Sequence, residues 1–154
     1  TQQYLFLKLN RKTISELSST SRGILYKSLG YVGADFQDYF VFVQSFGSGN
    51  PHYIELIKKK TGENLLKKGS AWIDVDTIKQ VLLFCISDIP TETDKMTLLD
   101  IKSLKQKNYP FPKEIFSEPG ILNRIELASV TDTNFTIKYT YKDRKITKIK
   151  TYNR

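Results

Sequence analysis

The sequence predicts a mainly β chain, an antiparallel barrel or sandwich of about nine strands with one or two short helical turns near residues 112–123. Three observations carry that expectation. Apolar and polar residues alternate with period two, most clearly where Phe135, Ile137, Tyr139 and Tyr141 interleave with Thr136, Lys138, Thr140 and Lys142. Short apolar runs are separated by turn residues at close intervals along the whole chain. The only stretch with a helical signal is FPKEIFSEPGILNR (111–124), where Pro112 can open a turn of helix and Pro119 with Gly120 interrupts it.

The elements follow in order. YLFLKL (Tyr4 to Leu9) is apolar and β-prone, and the polar stretch 10–22 (NRKTISELSSTSR) reads as either a hairpin return or a short helix. ILYKSL (Ile24 to Leu29) is a further candidate strand, followed by the glycine-punctuated GYVGAD. DYFVFVQSF (Asp38 to Phe46) is almost continuously apolar, as a strand buried on both faces should be. HYIELIK (His52 to Lys58) comes next and ends at a turn signal, KKTG. AWIDV (Ala71 to Val75), QVLLFCIS (Gln80 to Ser87) and KMTLLDIKS (Lys95 to Ser103) are successive strand candidates, the last after a polar loop, DIPTETD. RIELASV, the alternating strand from Phe135 and KITKIKTY then form a meander, joined by the tight connections TDTN and KDR.

A chain of 154 residues is expected to form a single β-rich domain over 1–154. At this size it should bury roughly 70% of the surface it exposes when unfolded. A hydrophobic content of 40% with 12% aromatics separates it from disordered chains. Cys85 is the only cysteine, which rules out an internal disulfide and a cysteine-based zinc site, and in QVLLFCIS it reads as a core thiol. No run approaches the ~18–20 apolar residues of a membrane-spanning helix. The chain opens TQQYLF without an initiator Met or a signal peptide. That start fits a mature form whose signal or lipid anchor was removed, and so a periplasmic or cell-surface location, with the cytoplasm as the other possibility.

Charge is concentrated. Between Asn134 and Arg154 seven bases face one acid, so this segment holds +6 of the formal +8. Such local basicity points to a charged face. Lys138 and Lys142 share one side of their strand and Lys148 and Lys150 share one side of the next, while Tyr139 and Tyr141 point away from Lys138 and Lys142. All four lysines are candidate partner contacts. Their bland reading is a solvated row that protects an exposed strand.

Catalytic patterns are missing. His52 is the sole imidazole, and the serine closest before it, Ser48, sits in FGSGN, which lacks the GxSxG elbow. No Gly-rich phosphate loop of Walker or Rossmann type occurs, and nothing singles out a carboxylate pair for glycoside hydrolysis. Asp74 and Asp76 share a strand face, near a loop bearing Asp88, Glu92 and Asp94, but there is no EF-hand pattern. Ordinary strand-end and turn acids have this distribution, so no metal and no cofactor is expected.

The stretch VFVQSFGSGNPHYI (41–54) reads as two strands joined by the five-residue connection GSGNP, which would offer Ser48, Asn50, His52 and Tyr53 to a partner. GSGNPHY resembles the S-G-x-x-Y signature of bacterial periplasmic lysozyme inhibitors, small β-rich proteins that insert a loop into the lysozyme cleft. Here Ser48, Gly49 and Tyr53 are spaced S-G-x-x-x-Y, one residue longer. The resemblance implies an inhibitory loop over 47–53, although a basic inhibitor meets repulsion from a basic lysozyme. The leading expectation is a non-enzymatic binding or accessory domain that recognises a protein or an anionic envelope polymer outside the bacterial cytoplasm. The alternatives are a nucleic-acid binder using the basic C-terminal strands and a lysozyme-inhibitor-like protein.

Overall fold

The computed structural model describes residues 2–21, 29–45, 52–117 and 120–154. It is mainly β, with antiparallel pairing throughout, and it resolves the choice of architecture: no sheet closes into a barrel among the described residues. Among the described residues twelve strands form, more than the nine or so expected. The chain divides into two compact units, residues 1–68 and 69–154.

In the first unit, β1 (Gln2–Leu9) and β2 (Lys12–Ser21) make an antiparallel hairpin. Its turn is built by Asn10 and Arg11, both left-handed (φ 48° and 65°), as a two-residue turn matched to strand twist requires. The described part of that polar stretch, 10–21, is therefore a hairpin return, not a helix. β3 (Tyr31–Asp35), β4 (Tyr39–Ser45) and β5 (His52–Lys58) follow as a meander. Most of the strand expected over 24–29, and the whole FGSGNP connection, lie outside the described residues. Leu5, Leu7 and Leu17 of the hairpin pack on Phe40, Phe42 and Ile57 of the meander. β3 was hidden by its glycines. Gly30, which leads into it, holds φ at +107°, and a Cβ there would come within 2.5 Å of the Phe42 ring.

The second unit has two open sheets face to face. The first runs β6 (Ala71–Asp76), β7 (Val81–Cys85), β8 (Lys95–Asp100) and β9 (Gln106–Pro110), each paired with the next. The second runs β10 (Ile125–Val130), β11 (Asn134–Tyr141) and β12 (Ile146–Asn153). Ile73, Leu83, Met96 and Tyr109 from the first sheet share one core with Ile125, Phe135, Ile137, Tyr139 and Tyr152 from the second. β7 is buried at every position, as its unbroken apolar sequence required. The expected helical turns are two 3-10 turns, Lys113–Ser117 and Ile121–Arg124, which add Ile115, Ile121 and Leu122 to that core.

A part-buried polar bond links β6 of one sheet to β10 of the other. β6 is irregular between Trp72 and Asp74, and β10 between Leu127 and Ser129. At this pair of irregularities the Leu127 N–H donates to Asp74 Oδ2 at 2.6 Å, while Asp74 Oδ1 accepts from the Val75 N–H at 2.8 Å. A bulge removes a backbone group from its ladder, and here the carboxylate supplies the missing acceptor.

Candidate functional site

The basic C-terminal hairpin is the place to look, and its register decides what the lysines can do. The turn after β11 holds three consecutive left-handed residues, Lys142, Asp143 and Arg144, and closes with the Lys145 N–H donating to the Lys142 carbonyl at 3.0 Å. That turn sets Tyr141 against Ile146, Tyr139 against Lys148, Ile137 against Lys150 and Phe135 against Tyr152. Directly opposed residues of an antiparallel pair share a face. Lys148 and Lys150 therefore lie on the tyrosine side of the sheet. Lys138 is on the other side, opposite Ile149 and beside Glu126, to which it is ion-paired at 2.6 Å. Lys142 is an exposed turn residue.

On the tyrosine side a row of ammonium groups covers aromatic rings. Lys148 Nζ lies 5.3 Å from the centroid of Tyr141, Lys150 Nζ 5.2 Å from Tyr152, and Lys107 Nζ, from β9, 5.5 Å from Tyr109. The rings touch one another: Tyr109 meets Tyr152 edge-on at 5.5 Å, and Tyr139 stacks on Tyr141 at 6.4 Å. β9 and β12 come together here. Tyr152 Oη donates to the Pro110 carbonyl at 2.8 Å, and Lys107 Nζ donates to the Asn153 carbonyl at 3.3 Å. Ring faces carry negative electrostatic potential, so each tyrosine holds its ammonium in place without neutralising it.

The local charges and burial shift three of the groups here. The Glu114 carboxyl sits below its ordinary value because its own backbone N–H and then Lys148 donate to it, and Lys148, 3.0 Å away, is raised in turn by Glu114 and Tyr141. Burial pushes the Tyr152 hydroxyl well up, helped by Tyr139 and Glu114. Beyond Lys107 the row runs into a cleft of about 550 Å³, walled in part by Arg154. The Arg154 guanidinium donates to Asp100 Oδ2 at 2.7 Å and to the Thr131 carbonyl at 3.0 Å.

The other expected contacts are placed less informatively. Ser48 and Asn50 lie outside the described residues, as do Gly47, Gly49 and Pro51. His52 and Tyr53 open β5, half-buried and paired with Ser45 and Gln44. Asp74 and Asp76 turn their oxygens to backbone N–H groups: those of Leu127 and Val75 for Asp74, and those of Ile78 and Lys79 for Asp76. Cys85 is buried, and that burial, with the Asp94 charge, pushes its thiol up to about 12.

No known family, curated protein or solved structure matches this chain. Lys107, Tyr109, Glu114 and Asp100 went unmarked in the sequence, and Arg154 counted there only towards the basic charge of the C-terminal segment. A signal for the first two was there: Lys107 and Tyr109 repeat the spacing of Lys150 and Tyr152, a lysine two positions before a tyrosine and hence on its face. Among the described residues no helix is long and apolar enough to cross a membrane.

Proposed function

We propose that the chain is a non-enzymatic binding domain that takes an anionic polymer, or a protein with regularly spaced acidic groups, along the edge where β9 meets β12. The observation that carries this reading is the row of Lys107, Lys148 and Lys150, each ammonium held over a tyrosine ring. Cations held in place over rings, Lys148 with Glu114 also at its side, give up little conformational freedom on binding and attract a negatively charged partner from a distance. The reading as non-enzymatic is supported by a single half-buried histidine and a thiol that burial keeps protonated. An anionic envelope polymer met outside the bacterial cytoplasm is the partner this reading favours.

The test compares two sets of substitutions. Lys107→Gln, Lys148→Gln and Lys150→Gln together should weaken binding to an anionic polymer, with polyglutamate as the first probe. Lys138→Gln with Lys142→Gln should leave it nearly unchanged. If the second set weakens binding as much as the first, the edge is not the site.

A nucleic-acid reading gains from one feature, since lysines and tyrosines share a surface after all. It loses from another, because Tyr109 and Tyr152 are only 5% and 8% exposed and lie under the lysines, so bases have no open ring to stack on. Single-stranded DNA is the probe for it. A slope of log affinity against log salt that falls by about two in the triple variant marks phosphate contacts at these lysines. The lysozyme-inhibitor reading rests on the 47–53 loop, and an assay across a lysozyme panel with Ser48→Ala and Tyr53→Ala decides it.

A further inference from the structure

Among the described residues β12 is the last strand of its sheet, paired with β11 on one side only. Two bonds show which of its main-chain groups are left over. The Arg154 N–H donates to the Thr133 carbonyl at 2.7 Å, and the Thr131 N–H to the Asn134 carbonyl at 2.8 Å. Asn134 therefore turns its main chain towards β10, and Asn153, opposite it, turns its own away from β11. The direction repeats at every second residue and the β11–β12 register is unbroken, so Thr151, Ile149 and Thr147 also aim N–H and C=O groups outward. Lys107 Nζ takes the outward carbonyl of Asn153 at 3.3 Å, and no described strand takes those of the other three.

The side chains along this edge alternate in the same way. Lys148 and Lys150 stand two residues apart on the tyrosine side. Ile149 lies between them on the other side, 68% exposed, the most exposed large apolar side chain within any described strand. Lysines commonly blunt a free edge, but blunting does not call for an isoleucine in the open. An added strand gives it a use. Side chains of such a strand alternate faces as those of β12 do, so one apolar residue covers Ile149 while its two neighbours reach the lysines. Charge complementarity makes those neighbours acidic, since Lys150 has no ion pair among the described residues and Lys148 has one, with Glu114. A second copy of β12 fits badly, because antiparallel pairing about Ile149 opposes lysine to lysine.

We infer that the free edge of β12 takes an extended segment of an acidic protein as an added strand. Its carboxylates lie at alternate positions over Lys148 and Lys150, an apolar side chain between them covers Ile149, and its main chain bonds those of Thr147, Ile149 and Thr151. This rests on the charged-edge reading above and deepens it: charge alone suits any polyanion, whereas a row of outward main-chain groups suits a peptide.

A labelled peptide of alternating Glu and Val, titrated with the full chain at low ionic strength and followed by fluorescence anisotropy, tests it. Polyacrylate serves beside it as a polyanion without amide groups. The peptide is also made in two forms of equal charge, N-methylated at Val or at Glu. In an antiparallel added strand the Val N–H groups face β12, so methylation at Val should weaken binding at least about tenfold, as loss of several hydrogen bonds does, and methylation at Glu should not. The reverse order also marks an added strand, a parallel one. Ile149→Pro removes an outward N–H and leaves the ladder to β11 whole, so it should weaken peptide binding likewise and bind polyacrylate as wild type does. The methylated peptides decide even where that variant fails to fold. Equal binding of the two methylated peptides overturns the inference, and the charged edge still stands if Lys148→Gln with Lys150→Gln loses polyacrylate. Polyacrylate bound undiminished by that double variant ends the charged edge and the added strand together. A dimer of the wild type that Ile149→Pro abolishes puts a second copy on the edge and overturns the inference too.

Discussion

Replacing Asp74 by alanine should destabilise the chain far more than its half-exposed position suggests. Its two carboxylate oxygens take the N–H groups of Leu127 and Val75, and the Leu127 bond, at 2.6 Å, ties β6 of one sheet to β10 of the other. A hydrogen bond to a charged acceptor contributes about 1.5–3 kcal/mol, and a backbone donor left unsatisfied costs about 1–3 kcal/mol, figures that overlap because they describe the same lost contact. Solvent access at Asp74 argues for the lower part of each range, so Asp74→Ala should cost about 1.5–2 kcal/mol. For a chain of this size that lowers the melting temperature by about 3–8 °C. Asp76 provides the internal control. It accepts the Ile78 and Lys79 N–H groups within its own turn and ties nothing distant, so Asp76→Ala should cost about 1 kcal/mol, like a lost cap. Urea unfolding followed by the fluorescence of Trp72, the only tryptophan, reports directly on β6. A loss under about 0.5 kcal/mol for Asp74→Ala, or one no larger than for Asp76→Ala, would refute the claim that this carboxylate joins the sheets.

Other outcomes follow from single groups. Burial raises the Asp100 carboxyl, but the N–H and hydroxyl of Ser103 and the charge of Arg154 outweigh it and hold it below its ordinary value. A depressed carboxylate stabilises the fold above its unfolded pKa, about 3.9, and that contribution disappears as pH falls through the lower native value. Asp100→Asn should therefore be less stable than wild type at pH 6, and urea midpoints of the two should converge in strong acid. Cys85, with its thiol at about 12, should resist a disulfide reagent at pH 8 in the native protein and react fully once unfolded in guanidinium. Gly30→Ala sets a Cβ against the Phe42 ring and the Val43 carbonyl at a left-handed φ, and should cost more than ~1 kcal/mol in a thermal melt.

The β pattern was readable wherever one face of a strand is buried. Phe135, Ile137 and Tyr139 alternate with exposed or half-exposed residues because the sheet of β11 has one wet side, and β7 reads as a solid apolar run because neither of its sides is wet. β3 and β9 escaped for the opposite reason. YVGAD carries a glycine in mid-strand, and QKNYP leaves every position but Tyr109 exposed, so neither shows a clean alternation. The lysines of β12 were correctly placed on one face, but which face depends on register. Register depends on the turn from Lys142 to Lys145, whose three left-handed residues are not the glycines or asparagines that announce such backbone. The cleft around Tyr109 was beyond reach for a similar reason. It is assembled from Asp100, Lys107 and Arg154, which no local pattern connects.

Within each unit all the strand pairs join strands consecutive in sequence, and that ordering has a consequence for synthesis. Short loops cost little entropy to close, so a growing chain can zip each hairpin soon after its second strand leaves the ribosome, with few long-range partners to wait for. The tie from Asp74 to Leu127 is different, since its two ends lie 53 residues apart. The first sheet of that unit must emerge and wait with its inner face of Ile73, Leu83 and Met96 uncovered until β10 arrives. The interval between the birth of β6 and the birth of β10 is thus when this chain is most open to aggregation and most in need of a chaperone.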